Sequence, residues 1–170
     1  MVDQRSQLAS AASGGFMNPQ GERRVSNFGK WEFTCNRPAT VDAYARAEHG
    51  GSESCTCNGC HNFISARTQV YPKEFLSFLN SLGIDSRKDD EVYLLGPAAS
   101  GRYYYGGWFH FVGSLNTTGD FPAVTMGHGF TASLCQRSAP SLRSLIGLPL
   151  VQVEFHSNTV PWVLSESEPA

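Results

Sequence analysis

Apolar and polar residues alternate along several stretches of the chain, and this two-residue period is typical of β-strands. Trp31 and Phe33 alternate with polar neighbours in the segment 30–35, which is the first predicted strand. In the second half of the chain the pattern predicts strands at 92–95, 102–112, 121–126, 129–135 and 150–155. Aromatic residues occupy successive positions in the segment 102–112, so we expect a central strand that is covered on both faces.

A period of three to four residues predicts the helices, most of which precede the strands. Phe75, Leu79 and Leu82 lie on one face of the clearest helix. Pro72 suits its first turn and Gly83 suits its C-terminal end. Shorter helices are expected at 40–47, 62–69 and 141–146. Helices followed by antiparallel strands indicate an α+β fold with N-terminal helices and an antiparallel β-sheet.

The length of 170 residues is that of one domain, and composition divides the chain into three parts. Residues 1–28 are rich in Ser, Ala, Gly, Gln and Asn without sustained periodicity, which predicts a flexible N-terminal tail. The periodic segments fall within 29–164, the expected single α+β domain. The acidic residues 165–170 are expected to form a loose C-terminal end.

The charge of the chain argues against two classes of partner. Thirteen basic and fifteen acidic residues give a formal net charge of -2, whereas a nucleic-acid binder has a basic face, so nucleic acid is an unlikely partner. No apolar run reaches the ~18 residues that span a bilayer, so no membrane attachment is expected. The first residues do not form an apolar signal sequence, which favours a cytoplasmic location where thiols stay reduced.

Four of the five cysteines follow a spacing that is typical of a metal site. They form the pattern C-x19-C-x-C-x2-C, and the last three lie in the segment 54–61, which we call the cysteine knuckle. In a reducing compartment, thiols this close together bind metal more often than they form disulfides. We therefore expect a closed, structural zinc site whose four ligands are Cys35, Cys55, Cys57 and Cys60.

Several alternatives stay open for the cysteine knuckle. His61 can replace Cys35 as the fourth ligand, and His49 is a weaker substitute. The thiols can also be reduced or partly oxidised without any metal. An iron–sulfur cluster is a further interpretation, although the spacing fits neither common ferredoxin run. Cys135 stands apart from the others, and we interpret it as a small buried core residue.

The aromatic strand offers a second candidate site. Trp108 and His110 share one face of this predicted strand, and Phe109 and Phe111 share the other. We expect the two phenylalanines to pack beneath the clearest helix, and Trp108 and His110 to form a ligand face. The sequence contains no G-x-S-x-G elbow, H-E-x-x-H motif, P-loop or G-x-G-x-x-G fingerprint, so no catalytic residue is assigned.

Four short segments of the sequence carry a resemblance to other proteins. They are Cys-Thr-Cys-Asn-Gly-Cys-His-Asn-Phe at 55–63, Tyr-Pro at 71–72, Leu-Gly-Ile-Asp at 82–85 and Val-Pro-Trp-Val-Leu at 160–164. In these segments the chain resembles a group of small bacterial proteins to which no activity is assigned. The resemblance implies a bacterial cytoplasmic protein with one compact domain, and it carries over no functional residue.

Two functions follow as expectations from these features. The first is a non-catalytic, zinc-stabilised binding protein, in which the metal site is structural and the aromatic face contacts a protein or a small molecule. The alternative is an enzyme, metal- or histidine-assisted and hydrolase-like, which uses either a pocket around His110 and Trp108 or a three-cysteine metal site with an open position. A deep pocket at His110 would favour the enzyme, whereas a flat exposed aromatic patch would favour the binding protein.

Overall fold

The structure is a computed structural model that describes residues 24–136 and 139–167. These residues form seven strands and four α-helices. The helices are α1 (Arg37–Arg46), α2 (Gly51–Ser54), α3 (Asn58–Val70) and α4 (Lys73–Leu82). The strands are β1 (Arg24–Phe28), β2 (Trp31–Cys35), β3 (Glu91–Pro97), β4 (Arg102–Leu115), β5 (Val124–Thr125), β6 (Phe130–Cys135) and β7 (Leu150–Pro161). The predicted α+β fold, with an antiparallel sheet and a cysteine knuckle, is therefore confirmed.

The seven strands belong to one antiparallel sheet in which β4 is central. The strand order is β1-β2-β4-β7-β6-β5. Strand β7 pairs with β4 along 102–112. On the other edge of β4, β3 pairs with 103–108 and β2 pairs with 113–115. The prediction that the aromatic segment is a central strand is thus confirmed.

Helix α1 completes the backbone hydrogen bonding of β4 in the gap between β3 and β2. The hydroxyl of Tyr44 donates to the carbonyl oxygen of His110 at 3.0 Å and accepts from the amide of the same residue at 3.3 Å. The hydroxyl of Thr40 accepts from the amide of Val112 at 3.0 Å. A buried backbone group without a partner costs about 1–3 kcal/mol. These two side chains therefore stabilise the edge of β4 opposite β7, where no described strand pairs with it between β3 and β2.

The helices cover the face of the sheet that carries Phe109. Phe75, Leu79 and Leu82 of α4 are buried, and the ring centroid of Phe75 lies 6.3 Å from that of Phe109. Gly83 ends α4 with a φ of 84°, a left-handed conformation that favours glycine. The apolar stripe of this helix, its packing on β4 and its C-terminal signal are all confirmed.

Strand β1 corrects part of the prediction that residues 1–28 form a flexible tail. Residues 24–28 pair with β2, and the ring of Phe28 stacks on that of Phe78 with centroids 4.2 Å apart. The segment shows little apolar alternation, so its order comes from pairing with β2 and from one buried ring. Residues 1–23 and 168–170, which belong to the expected loose ends, lie outside the residues that the structure describes.

Several element boundaries also differ from the prediction. Helix α3 begins at Asn58 instead of residue 62, and β7 continues to Pro161. The strand predicted at 121–126 is reduced to the two residues of β5. The helix predicted at 141–146 is a 3-10 turn at Arg143–Leu145. Contacts between distant parts of the chain help to set these boundaries, whereas the periodicity of a segment depends only on residues that are close in sequence.

Candidate metal centre

The cysteine knuckle lies between α2 and α3, and its last part belongs to α3. Cys57 is the N-cap residue of α3, and its sulfur accepts a hydrogen bond from the amide of Cys60 at 3.4 Å. One helical turn separates the two side chains. Cys57 is exposed at the protein surface, whereas Cys60 is buried.

Three thiols of the knuckle converge. The sulfur atoms of Cys55, Cys57 and Cys60 all lie within 4.8 Å of one another, and those of Cys55 and Cys57 are 3.2 Å apart. Tetrahedral zinc with Zn–S bonds of about 2.3 Å holds its sulfurs about 3.8 Å apart, so these donors fit a single metal ion. These residues, the three-cysteine group, can therefore hold a metal.

Asp89 fixes the helix that leads into the three-cysteine group. The amide of Gly51 donates to the carbonyl oxygen of Asp89 at 2.6 Å. The amide and the hydroxyl of Ser52 donate to its two carboxylate oxygens at 2.8 Å and 2.6 Å. Burial raises the pKa of the Asp89 carboxyl, and the hydrogen bonds from Ser52 oppose that rise. The first turn of α2 is thus held in place just before Cys55.

Arg67 joins α3 to the same anchoring point. Its guanidinium lies 3.6 Å from the carboxylate of Asp89 and 3.6 Å from that of Glu53 on α2. The Arg67 side chain is only 14% exposed, so solvent screens its pair with the completely buried Asp89 less than it screens a surface pair. Helices α2 and α3 are therefore linked on either side of the knuckle, which positions the three cysteines.

A close approach of two backbones adds a further constraint. A Cβ atom at Gly51 would overlap the carbonyl oxygen of Asp90. Any larger residue would force the start of α2 away from the chain that leads into β3. Glycine at this position therefore allows the knuckle to lie directly against the edge of the sheet.

Two buried aspartates are the residues of the site that sequence reasoning missed. The run 87–91 reads as a charged loop, yet Asp89 and Asp90 are 0% and 1% exposed. Asp90 is hydrogen-bonded to Nδ1 of His110 and accepts from the amides of Ser141 and Leu142 at 2.7 Å and 2.9 Å. Burial raises the pKa of Asp90, but the bonds from His110 and Ser141 outweigh it, so that the pKa is lowered overall. No local pattern in the sequence reveals these distant partners.

The thiols of Cys57 and Cys60 have opposite acidity shifts. The amide of Cys60 donates to the sulfur of Cys57, which lowers the pKa of Cys57. Burial raises the pKa of Cys60 well above its ordinary value. The S–H of Cys60 donates to the carbonyl oxygen of Val92 at 3.7 Å. A metal must displace that proton, so binding releases protons and is favoured by higher pH.

Cys35 does not join the three-cysteine group, which corrects the expectation that it is the fourth ligand. Its sulfur donates to the carbonyl oxygen of Leu82 at 3.6 Å, and burial raises the pKa of its thiol to about 11. Cys35 pairs with Gly113 of β4, whereas Cys60 contacts the part of β3 that pairs with Gly107. Along an extended strand these two points are about 20 Å apart. The fold therefore places Cys35 far from the knuckle.

Neither of the two candidate histidines completes the group. His61 is exposed on α3, and its ring is not among the donors that converge with the three sulfurs. The Nδ1 atom of His49 lies 3.6 Å from the carboxylate of Glu53. Among the described residues, no fourth His, Cys, Asp or Glu has a donor atom within 4.8 Å of all three sulfurs.

The expected ligand face at Trp108 and His110 is also corrected. His110 is completely buried and hydrogen-bonded through Nδ1 to Asp90. Trp108 is half-buried, and its ring centroid lies 5.7 Å from that of Tyr93. A buried carboxylate needs a partner, and His110 provides one here. His110 is therefore a core residue and does not face a ligand pocket.

A cavity of about 540 Å³ adjoins the metal centre, and all three cysteines line it. Across from them lie Val92, Tyr93 and Leu94 of β3. The remaining lining residues are Asn58, Gly59 and Ser167. Among these described residues there is no Asp, Glu, Lys, Arg or His, so the cavity is an uncharged space beside the sulfur atoms.

Comparisons with protein-family models, with curated proteins and with solved structures give no match for this chain. In the part of the chain that the structure describes, no helix is both long enough and apolar enough to cross a membrane.

Proposed function

We propose that this protein is a non-catalytic, zinc-stabilised binding protein of the cytoplasm, with Cys55, Cys57 and Cys60 as zinc ligands. The observation that carries the proposal is the convergence of their three sulfur atoms within 4.8 Å. Thiolate ligands favour zinc and other thiophilic metals over magnesium or calcium. A reducing compartment would keep all three thiols available for the metal.

The role of the metal in this proposal is structural. Cys55 follows α2, Cys57 caps α3 and Cys60 contacts the edge of β3. One ion would connect these three elements, which otherwise meet at the knuckle through thiol contacts of 3.2–3.7 Å. Because a preformed site rarely exists in an unfolded chain, the binding free energy of the metal adds to the free energy of unfolding.

The burial of His110 weighs against an enzyme whose mechanism uses this histidine. A hydrolase-like mechanism at Trp108 and His110 requires the imidazole to reach a substrate. The imidazole is instead enclosed and bonded to Asp90. The partner in this proposal is a protein or a small molecule that contacts the surface beside the metal.

Metal content and thermal stability test the proposal. Protein purified without chelator should contain one zinc ion per chain, and chelator should lower its Tm. Cys57→Ser should lose the zinc, and its Tm should match that of chelated wild type. Since Cys57 is exposed, its replacement removes little packing.

Cys135→Ser is the matched control, because Cys135 lies on β6 outside the three-cysteine group. It should keep both the zinc and the response to chelator. An unchanged Tm of metal-free wild type would contradict the structural role. A full zinc content in Cys57→Ser would contradict the ligand assignment.

A further inference from the structure

The three-cysteine group leaves one position on the metal to be filled. Protein zinc is almost always four-coordinate, and a site with three protein ligands accepts a further ligand at the fourth position. No fourth donor from the described residues converges with the three sulfurs. The space beside these sulfurs indicates which kind of ligand completes the site.

The cavity of about 540 Å³ between the knuckle and β3 is lined by all three cysteines, whereas a second cavity of about 310 Å³ is lined by Cys55 and Cys60 together with Asp90 and Glu91. Small-molecule sites have volumes of about 300–1,000 Å³, so the larger cavity has room for a small ligand. Val92 and Leu94 present aliphatic side chains across from the three cysteines. A Cβ atom at Gly59 would lie 3.4 Å from Cβ of Leu94, so helix and strand approach closely at one end of the cavity.

The lack of charge around the cavity restricts the chemistry of the ligand. The described lining residues other than the cysteines are uncharged, and their polar side chains belong to Asn58, Tyr93 and Ser167. A charged ligand would find no ion-pair partner among these residues, whereas a hydrocarbon chain gains from contact with the aliphatic side chains. A metal selected by three thiolates is thiophilic, so sulfur is the preferred fourth donor atom.

We propose that this cavity binds a small uncharged organic thiol, whose sulfur becomes the fourth ligand of the metal and whose carbon chain lies against Val92 and Leu94. The inference rests on the proposed metal site and gives the binding role a class of ligand. When the thiol binds, its S–H bond breaks, the proton passes to solvent and a metal–sulfur bond forms. No electron is transferred, so no oxidant or reductant is required.

Cobalt(II) in place of zinc tests the inference, because sulfur-to-cobalt charge-transfer bands increase when a sulfur ligand is added. Titration of the cobalt-loaded protein with 1-butanethiol should strengthen these bands and saturate at one equivalent per chain. The cobalt should stay bound after desalting. 1-Butanol, which has the same carbon chain, and imidazole, which offers a nitrogen donor, should leave the charge-transfer bands unchanged.

A pair of variants on β3 tests the location of the carbon chain. Leu94→Asp places a charge in the cavity and should weaken 1-butanethiol binding roughly tenfold or more, while cobalt content stays at one per chain. Leu95→Asp is the matched control, because Leu95 is the next residue and is 52% exposed. The control should bind 1-butanethiol as tightly as wild type does.

The outcomes separate this inference from the proposed function. A protein that does not bind cobalt would contradict the metal site itself. A cobalt protein whose bands do not respond to 1-butanethiol, or respond equally in Leu94→Asp, would overturn the thiol inference alone. Glu168 follows Ser167 and lies beyond the described residues. An altered cobalt spectrum in Glu168→Gln without added ligand would mean that the chain supplies the fourth ligand, and would also overturn the inference.

Discussion

The packed centre around β4 and α4 and the region around the cysteine knuckle are held together by different forces. In the centre, Phe75, Leu79 and Phe109 are completely buried among apolar side chains. Around the knuckle, buried Asp89 and Arg67 form polar contacts between α2 and α3, and our proposal adds a metal. Apolar burial depends little on pH or chelators, whereas charge and metal binding depend on both. Chelators should therefore act on the knuckle first.

The largest expected effect is in the packed centre. Phe111 is completely buried on β4, and its ring centroid lies 5.3 Å from that of Phe33. Phe111→Ala should lower the free energy of unfolding by about 3–5 kcal/mol, as for other buried rings. Urea denaturation measures this loss, and the zinc content of the folded variant should equal that of wild type. Zinc loss from the folded variant would mean that the two regions are coupled.

A smaller loss is expected when the anchor of α2 is removed. Asp89→Ala leaves the amide and the hydroxyl of Ser52 without their acceptor and removes one of the two ion-pair partners of Arg67, which should cost about 1–3 kcal/mol. Metal affinity should fall by about 10- to 100-fold, because Asp89 positions the helix that precedes Cys55. Competition with a zinc chelator measures the affinity.

Asp89→Asn is the matched control for this prediction. Its amide oxygen still accepts from Ser52, so it should retain more metal affinity than Asp89→Ala does. If Asp89→Ala binds zinc as tightly as wild type, the knuckle does not need this anchor.

The acid dependence of stability sharpens the comparison further. Hydrogen bonds from His110 and Ser141 outweigh burial and lower the pKa of Asp90, so the carboxylate stabilises the fold when it is ionised. Its contribution is fully present above the ordinary carboxyl pKa of about 4, and it is lost as pH falls from there through the lowered pKa. Asp90→Asn should cost about 1–2 kcal/mol at pH 7.

Denaturation of wild type and Asp90→Asn between pH 7 and pH 2 isolates this contribution. The difference in free energy of unfolding should be constant above about pH 5 and should shrink below about pH 4. A difference that stays constant down to pH 2 would contradict a stabilising charge on Asp90.

The smallest effect is expected at Cys35. Its thiol is buried beside α4, so Cys35→Ala should lower the free energy of unfolding by about 1 kcal/mol through lost packing. Zinc content and the Tm shift caused by chelator should be the same as in wild type. If Cys35→Ala loses zinc as Cys57→Ser is expected to do, Cys35 is a ligand and the separation of the two regions fails.

The packed centre could be predicted from the sequence because its signals repeat along one element. Phe75, Leu79 and Leu82 specify a helix and its buried face together, and Gly83 marks where that helix ends. The aromatic segment 103–111, interrupted only by Gly106 and Gly107, likewise specifies a central strand. Such patterns report burial directly, so both the elements and their packing follow from them.

The metal centre could be predicted only where its residues are neighbours in the chain. Cys55, Cys57 and Cys60 meet because a short loop and one helical turn bring them together. The place of Cys35 depends instead on how β2 pairs with β4, and the burial of Asp89 depends on a contact with α2 that is 37 residues away in sequence. Spacing carries no information about such long-range contacts.

The contact between α1 and β4 has a consequence for self-association. On the edge of β4 opposite β7, the hydroxyl groups of Thr40 and Tyr44 take the place of a neighbouring strand at His110 and Val112. An unpaired strand edge is a template for pairing with another molecule, and this segment is rich in aromatic residues and poor in charge. Detachment of α1 would uncover that edge. We therefore expect helix α1 to limit self-association through the edge of β4.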